Sequence, residues 1–216
     1  MPSEPRIAAG DSEECTRFPG GRRRPRRAHG AARTPLCTLA RGTGREARLA
    51  EERQLELESV SGRCFRDTLA RWPSGVTVVT ARDGDEPVGM TAASFSSLSL
   101  DPPLILVCVA RDANSHDALV AAPGFAVHIL GSAQDEVSRQ FAEPGPLKFE
   151  DYPDQSGPFD VPLLPFGVAL LVCAHHSALD GGDHTILIGR VVDTDLAGTD
   201  PLVYCNRGYW RISATT

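Results

Sequence analysis

From Val76 onward the chain reads as a mainly β protein, a closed or partly closed barrel with a few short helices. Three observations predict this. Apolar, β-branched runs of strand length recur, with turn signals about every ten residues. The helical patterns between them are short. At 216 residues the chain is long enough for one domain with a sizeable core, and no internal repeat divides it.

The elements follow in order. Ser61 is a candidate cap for a helix in which Phe65, Leu69 and Trp72 share one face at the i, i+4, i+7 spacing. Pro73 and Gly75 end it. Val76-Thr77-Val78-Val79-Thr80 reads as a strand, and Asp83-Gly84-Asp85 as a hairpin turn. A strand of small and hydroxylated residues begins at Gly89, and Asp101-Pro102-Pro103 forces a turn before the apolar run Leu104–Val109. A short helix is expected from Asn114 to Leu119, closed by Pro123-Gly124, then a strand over Phe125–Leu130 and a helix over Ala133–Phe141. Residues 143–165 are rich in Pro, Gly and Asp and predict a long irregular excursion. Three more strands are expected over Val168–His175, Thr185–Val192 and Leu202–Cys205, the last continuing into Gly208-Tyr209-Trp210-Arg211-Ile212.

The stretch from Gly89-Met90-Thr91-Ala92-Ala93-Ser94 through Ser99 is the most informative. Small side chains let a ligand approach the backbone, and hydroxyls offer hydrogen bonds once it arrives. On the strand alone, an edge strand packed beneath a helix explains it equally well. The stretch does not stand by itself, however. Gly75-Val76-Thr77-Val78-Val79-Thr80 lies upstream and Gly181-Gly182-Asp183-His184-Thr185 downstream. Together these segments resemble the short-chain flavin reductases, in order and without a large gap, from about Phe65 to Arg211. Many of that family are reductase partners of two-component monooxygenases.

The resemblance implies an FMN-binding split β-barrel of Greek-key-like topology. It also implies a set of site residues. Val88, Gly89, Met90, Thr91, Ala93 and Ser94 would border the flavin ring and ribityl chain, with the Thr91 and Ser94 hydroxyls as hydrogen-bonding groups. Cys108, Val109 and Ala110 end a strand, and Asn114-Ser115 opens a helix whose N–H groups suit a phosphate. The family often has a basic residue where this chain has Asn114, so Arg111 or Lys148, the one lysine in the chain, is the available cation. Gln140 and Phe141 match another flavin-lining segment, Phe141 serving equally well in a core. Gly182, Asp183, His184 and Thr185 match the segment beside flavin and nicotinamide, with His184 the residue expected to touch the reacting groups.

Charge is unevenly distributed. Residues 1–62 hold 12 Arg and no Lys against 9 acids, whereas the rest of the chain holds 10 basic and 19 acidic residues. This describes a basic tail, residues 1–60, joined to an acidic domain, residues 61–216. An acidic domain is poorly suited to nucleic acid. The tail, with Arg22-Arg23-Arg24-Pro25-Arg26-Arg27 and few large apolar residues, cannot offset its ordering entropy and is expected to be disordered, with a short exposed helix from Arg45 to Glu58. A start placed too far upstream would explain it as well. It lacks the apolar core of a secretory signal, is too acidic for a transit peptide, and no segment is apolar enough to span a membrane. A soluble cytoplasmic protein is expected.

Other motifs point nowhere specific. Gly42-Thr43-Gly44-Arg45-Glu46-Ala47 matches a dinucleotide fingerprint but follows no strand. The six cysteines contain no C-x-x-C pair and read as structural thiols rather than a disulfide framework or zinc site. His175 and His176, adjacent on a strand, should face opposite sides and cannot easily share a metal. Nucleophile, zinc-protease and P-loop motifs are missing, which suits chemistry carried by a cofactor. The resemblance therefore implies hydride transfer from NADH or NADPH to FMN or FAD, a homodimer, and a separate flavin-dependent oxygenase that receives reduced flavin. Two rivals stay open: a split-barrel flavoenzyme acting directly on an organic substrate, and a non-catalytic flavin- or haem-binding module.

Overall fold

The computed structural model describes residues 60–212, apart from residues 146, 154 and 199. The tail expected over residues 1–60, with its short helix, falls outside them save for Val60. The chain divides into two units, Met1–Asp67 and Thr68–Thr216. Helix α1, Gly62–Leu69, starts as the sequence suggests, with the Ser61 hydroxyl accepting the Cys64 N–H at 3.3 Å. It stops at Leu69, so Trp72 lies beyond it rather than on its face. Cys64 is disulfide-bonded, against the expectation of a thiol, while Cys108, Cys173 and Cys205 are free.

Seven antiparallel strands form the main sheet: β2 (Thr77–Asp83), β3 (Glu86–Ala92), β4 (Ser96–Leu100), β5 (Pro103–Ala110), β6 (Gly124–Ile129), β9 (Ala169–Gly181) and β10 (His184–Leu196). Their order is β3-β2-β6-β9-β10-β5-β4. One core cluster draws Val79 and Ala81 from β2, Ala92 from β3, Val107 and Val109 from β5, Val127 from β6, Cys173 from β9 and Leu187 from β10. Side chains from six of the seven strands, β3 at one edge and β5 near the other among them, meet in this cluster, so the sheet curls into a barrel. Helix α2 (His116–Ala121) contributes Leu119 to the same interior. A second cluster joins Val78, on the opposite face of β2, to Phe141 of helix α3 (Asp135–Ala142) and to Leu164. Period-two alternation thus gives β2 two buried faces.

Three expectations are corrected. The small-residue stretch is not one strand: it breaks at residues 93–95, and β3 and β4 fall at opposite ends of the sheet order. The Ser94 hydroxyl marks that seam, donating to the Cys108 carbonyl at 2.8 Å and accepting the Cys108 N–H at 3.1 Å. One side chain there takes the place of a ladder rung between the β3–β4 corner and β5. Second, β9 and β10 are 13 residues each, longer than their apolar runs, because each keeps pairing through an exposed end, Ala178–Gly181 of β9 at the turn and Asp193–Leu196 of β10 at the open end. Third, β11 (Val203–Cys205) does not run on through Gly208. Asn206 and Arg207, at φ 51° and 61°, turn the chain back into β12 (Gly208–Trp210). These two strands form a small sheet with β1 (Ser74–Gly75). The excursion carries a short ladder of β7 (Gln155–Ser156) with β8 (Pro162–Leu163).

Candidate functional site

A cleft of about 510 Å³ opens along β3. Its walls are Val88, Gly89, Met90 and Thr91 of β3, the loop Asp112–Ser115 before α2, the C-terminal end of α3 from Phe141 to Glu143, and Lys148 and Phe149 of the excursion. Volumes of this size, with an apolar lining and a few convergent polar groups, suit a small-molecule ligand. Val88, Met90, Phe141 and Phe149 supply flat apolar surface; Thr91, Asn114, Ser115 and Lys148 supply polar groups. That mixture fits a planar ring with a polar chain.

Gly89 is glycine for a reason the sequence did not disclose. A Cβ there would lie 3.0 Å from Phe149 Cζ and 3.1 Å from Phe141 Cε1. The two rings, edge to face at 5.2 Å, therefore cross β3 where the side chain is missing. Phe141 serves core and cleft at once. The neighbouring hydroxyls are already engaged. Thr91 Oγ1 donates to the Ser138 carbonyl at 2.6 Å, leaving its lone pairs for a ligand, and Ser94 is spent on the barrel seam.

Lys148 sits at the base of the excursion. Its Nζ donates to the carbonyls of Gly89 at 3.2 Å and Phe141 at 3.0 Å, tying the excursion to β3 and to the end of α3. Burial pushes its ammonium below the ordinary value, with the Glu143 charge pulling the other way. Gln140 does not line the cleft; its amide donates to the Lys148 carbonyl and accepts from the Tyr152 hydroxyl. The phosphate expectation is altered too. Helix α2 is six residues long and starts at His116, with Ser115 making no side-chain cap bond. Val109 points into the barrel interior and is fully buried.

The second feature is the β9–β10 hairpin. Gly182, at φ 82°, makes the two-residue turn with Asp183. His184 Nδ1 lies 2.7 Å from Asp183 Oδ1, so the N–H donates and Nε2 is the nitrogen left to accept in the neutral ring. The imidazole, by hydrogen bond and then by charge, holds the Asp183 carboxyl below its ordinary value. His184 pairs with Ala110 and Thr185 with Val109. Arg111 is committed to this turn rather than to an anion: its N–H donates to the Asp183 carbonyl, its Nε to the Gly182 carbonyl, and its guanidinium pairs with Asp180. His116 Nε2 meets Thr185 Oγ1 at 2.8 Å.

The expected residues thus fall into three groups. Val88 to Thr91, Asn114, Ser115 and Phe141 line the cleft. Gly182 to Thr185 belong to the hairpin beside its Asp112–Ser115 wall, with Val109 and Ala110 paired to Thr185 and His184. Ser94 and Cys108 form the barrel seam, next to Ala93 at the β3–β4 break. Sequence reasoning missed Glu86, Asp112, Glu143 and Phe149. Only Phe149 left a signal, an aromatic beside the single lysine in a Pro- and Gly-rich excursion. Among the described residues no three His, Cys, Asp or Glu side chains cluster closely enough to hold a metal.

Comparison with known proteins fits this architecture. A family model described as a flavin reductase like domain matches residues 69–213. The stachydrine N-demethylase reductase subunit Stc3 of Rhizobium meliloti is 40% identical over 152 residues, which cover 70% of this chain and 66% of that one, just under two thirds. The FMN reductase (NADH) SmoA of Agrobacterium fabrum is 39% identical over 71% of this chain and 87% of its own. The structure of the NADH:FAD oxidoreductase SgcE6 of Streptomyces globisporus, in complex with NAD and FAD fragments, superposes with a TM-score of 0.67 at 37% identity, covering 73% of this chain and 98% of that one. On the family match, the shared barrel and the relatives together, the chain belongs to the flavin reductase like family.

Proposed function

We propose that this protein is an NAD(P)H:flavin oxidoreductase that takes hydride from NADH or NADPH to free FMN or FAD and passes reduced flavin to a separate oxygenase. The observation that carries the reading is the pairing of an aromatic-walled cleft along β3 with the Gly182–Thr185 hairpin beside it. When bound, flavin supplies a hydride acceptor at N5 and the nicotinamide a donor at C4. The chain needs no acid or base for that transfer; its contribution is proximity, orientation and exclusion of water. Val88 and Met90, with the Phe141 and Phe149 rings, hold the flavin ring. Thr91, Asn114 and Ser115 meet its polar chain, and Lys148 supplies the cleft's positive charge. His184, oriented by Asp183, presents Nε2 to the nicotinamide.

The same reading includes a cytoplasmic homodimer. No described helix is long and apolar enough to cross a membrane. Edge strand β4 leaves Leu100 95% and Leu98 47% exposed, an apolar edge that a second copy would cover. Light scattering of the purified chain checks the mass.

The decisive experiment follows nicotinamide oxidation by the purified protein, with NADH and then NADPH, with and without added FMN or FAD. Turnover that depends on free flavin supports the proposal and reads out both preferences. Flavin binding without nicotinamide oxidation overturns it in favour of a non-catalytic module. Turnover that requires an organic substrate points to a flavoenzyme acting on that substrate directly.

A further inference from the structure

The loop that walls the cleft is held at both ends by the hairpin. Asp112, Ala113, Asn114 and Ser115 line the cleft. Arg111, just before them, bonds Gly182, Asp183 and Asp180. His116, just after them, bonds Thr185. Four cleft residues are therefore slung between two attachments to the turn that carries His184.

The two attachments differ in the exposure of their side-chain pairs. The Arg111–Asp180 pair is open to water, with Asp180 80% exposed, and such pairs are screened and weak. The His116 side chain is only 12% exposed and Thr185 is buried. His116 Nδ1 lies 2.8 Å from Asp117 Oδ1. In the neutral ring Nδ1–H donates to that carboxylate, which fixes the tautomer and leaves Nε2 to accept the Thr185 hydroxyl proton. The pair joins residues 69 apart in sequence, and Thr185 is the residue next to His184 along β10.

We propose that His116 is a positioning residue that couples the flavin cleft to the nicotinamide hairpin, so that occupancy of one changes affinity at the other. This rests on the flavin reductase reading given above. A ligand that shifts Asp112–Ser115 must move His116 with it, and the Thr185 bond passes that shift to the strand bearing His184. Coupling of this kind is reciprocal. NAD⁺ must change FMN affinity by the same factor that FMN changes NAD⁺ affinity.

The test uses the full chain, FMN fluorescence titrations with and without saturating NAD⁺, and steady-state KM values. His116→Phe keeps a ring of similar size without the bond. His116→Gln places an amide oxygen near the Nε2 position, and Thr185→Val removes the hydroxyl at constant shape. In the wild type, NAD⁺ should shift the FMN Kd by about threefold or more. His116→Phe should abolish that shift and raise the NADH KM about fivefold with kcat within about twofold, the scale of one lost hydrogen bond. Thr185→Val should do the same, the double variant should add nothing, and His116→Gln should recover most of the shift. A His116→Phe protein that melts lower yet keeps the NAD⁺ effect and both KM values overturns the inference, as does a wild type whose FMN affinity ignores NAD⁺. The titration needs no turnover. An inactive wild type that still shows coupled binding therefore sinks the reductase reading and upholds the coupling.

Discussion

Acid should unfold this protein earlier than its carboxylates alone require, through one buried histidine. His128 on β6 is fully buried, and its Nδ1 has no hydrogen-bond partner. Its Nε2 lies 3.4 Å from Thr80 Oγ1, whose own proton goes to the Pro162 carbonyl at 2.7 Å, and Phe166 packs against the ring. Burial pushes the imidazole from 6.5 down to about 4, offset in part by the Pro162 carbonyl. The sign follows from linkage. Well above 6.5 the ring is neutral folded or unfolded and makes no pH-dependent contribution. As pH falls from 6.5 to about 4 the unfolded chain binds a proton that the folded chain refuses, so stability drops. The loss is about 2 kcal/mol by pH ~5 and about 3 kcal/mol by pH ~4. His128→Leu removes both the titration and the unsatisfied nitrogen while leaving Thr80 bonded to Pro162. It should be neutral or slightly stabilising near neutral pH. Urea unfolding of the wild type and the variant across this pH range isolates the effect, because the carboxylate contribution is common to both. Parallel stability curves for the two proteins would refute the reasoning, since the histidine would then carry no differential proton binding.

The cleft and hairpin give three more expectations. Gly89→Ala forces the Phe141 and Phe149 rings to give by a few tenths of an ångström, costing about 1 kcal/mol. FMN titration should read this as several-fold weaker binding, with NADH KM little changed. Gly182→Ala meets no atom within 4 Å, so its effect is backbone strain alone at φ 82°, about 1 kcal/mol. Its NADH KM should rise, and Gly182→Asn should be milder; the reverse order would point to a steric cause. His184→Ala should raise the NADH KM by more than it weakens flavin binding, and unchanged kinetics would remove His184 from the site.

What the sequence determined by itself is what a few neighbouring residues can encode. The β-branched run over residues 76–80 marked β2, and Asp83-Gly84-Asp85 marked the turn that follows it. The family-like order of those segments carried the functional expectation as well. Tertiary structure decided which strands become neighbours. Residues 89–100 gave no local reason to break into β3 and β4 at the two ends of the sheet order; that depends on where β2 and β5 lie and on Ser94 reaching Cys108. Nor could local reading show that Phe149 and Lys148, out in an irregular excursion, return to floor the cleft over Gly89. Propensity and turn chemistry act over a few residues, whereas a binding site is made of contacts between residues far apart in the chain. His116 and Thr185 meet only because the barrel brings the start of α2 beside β10.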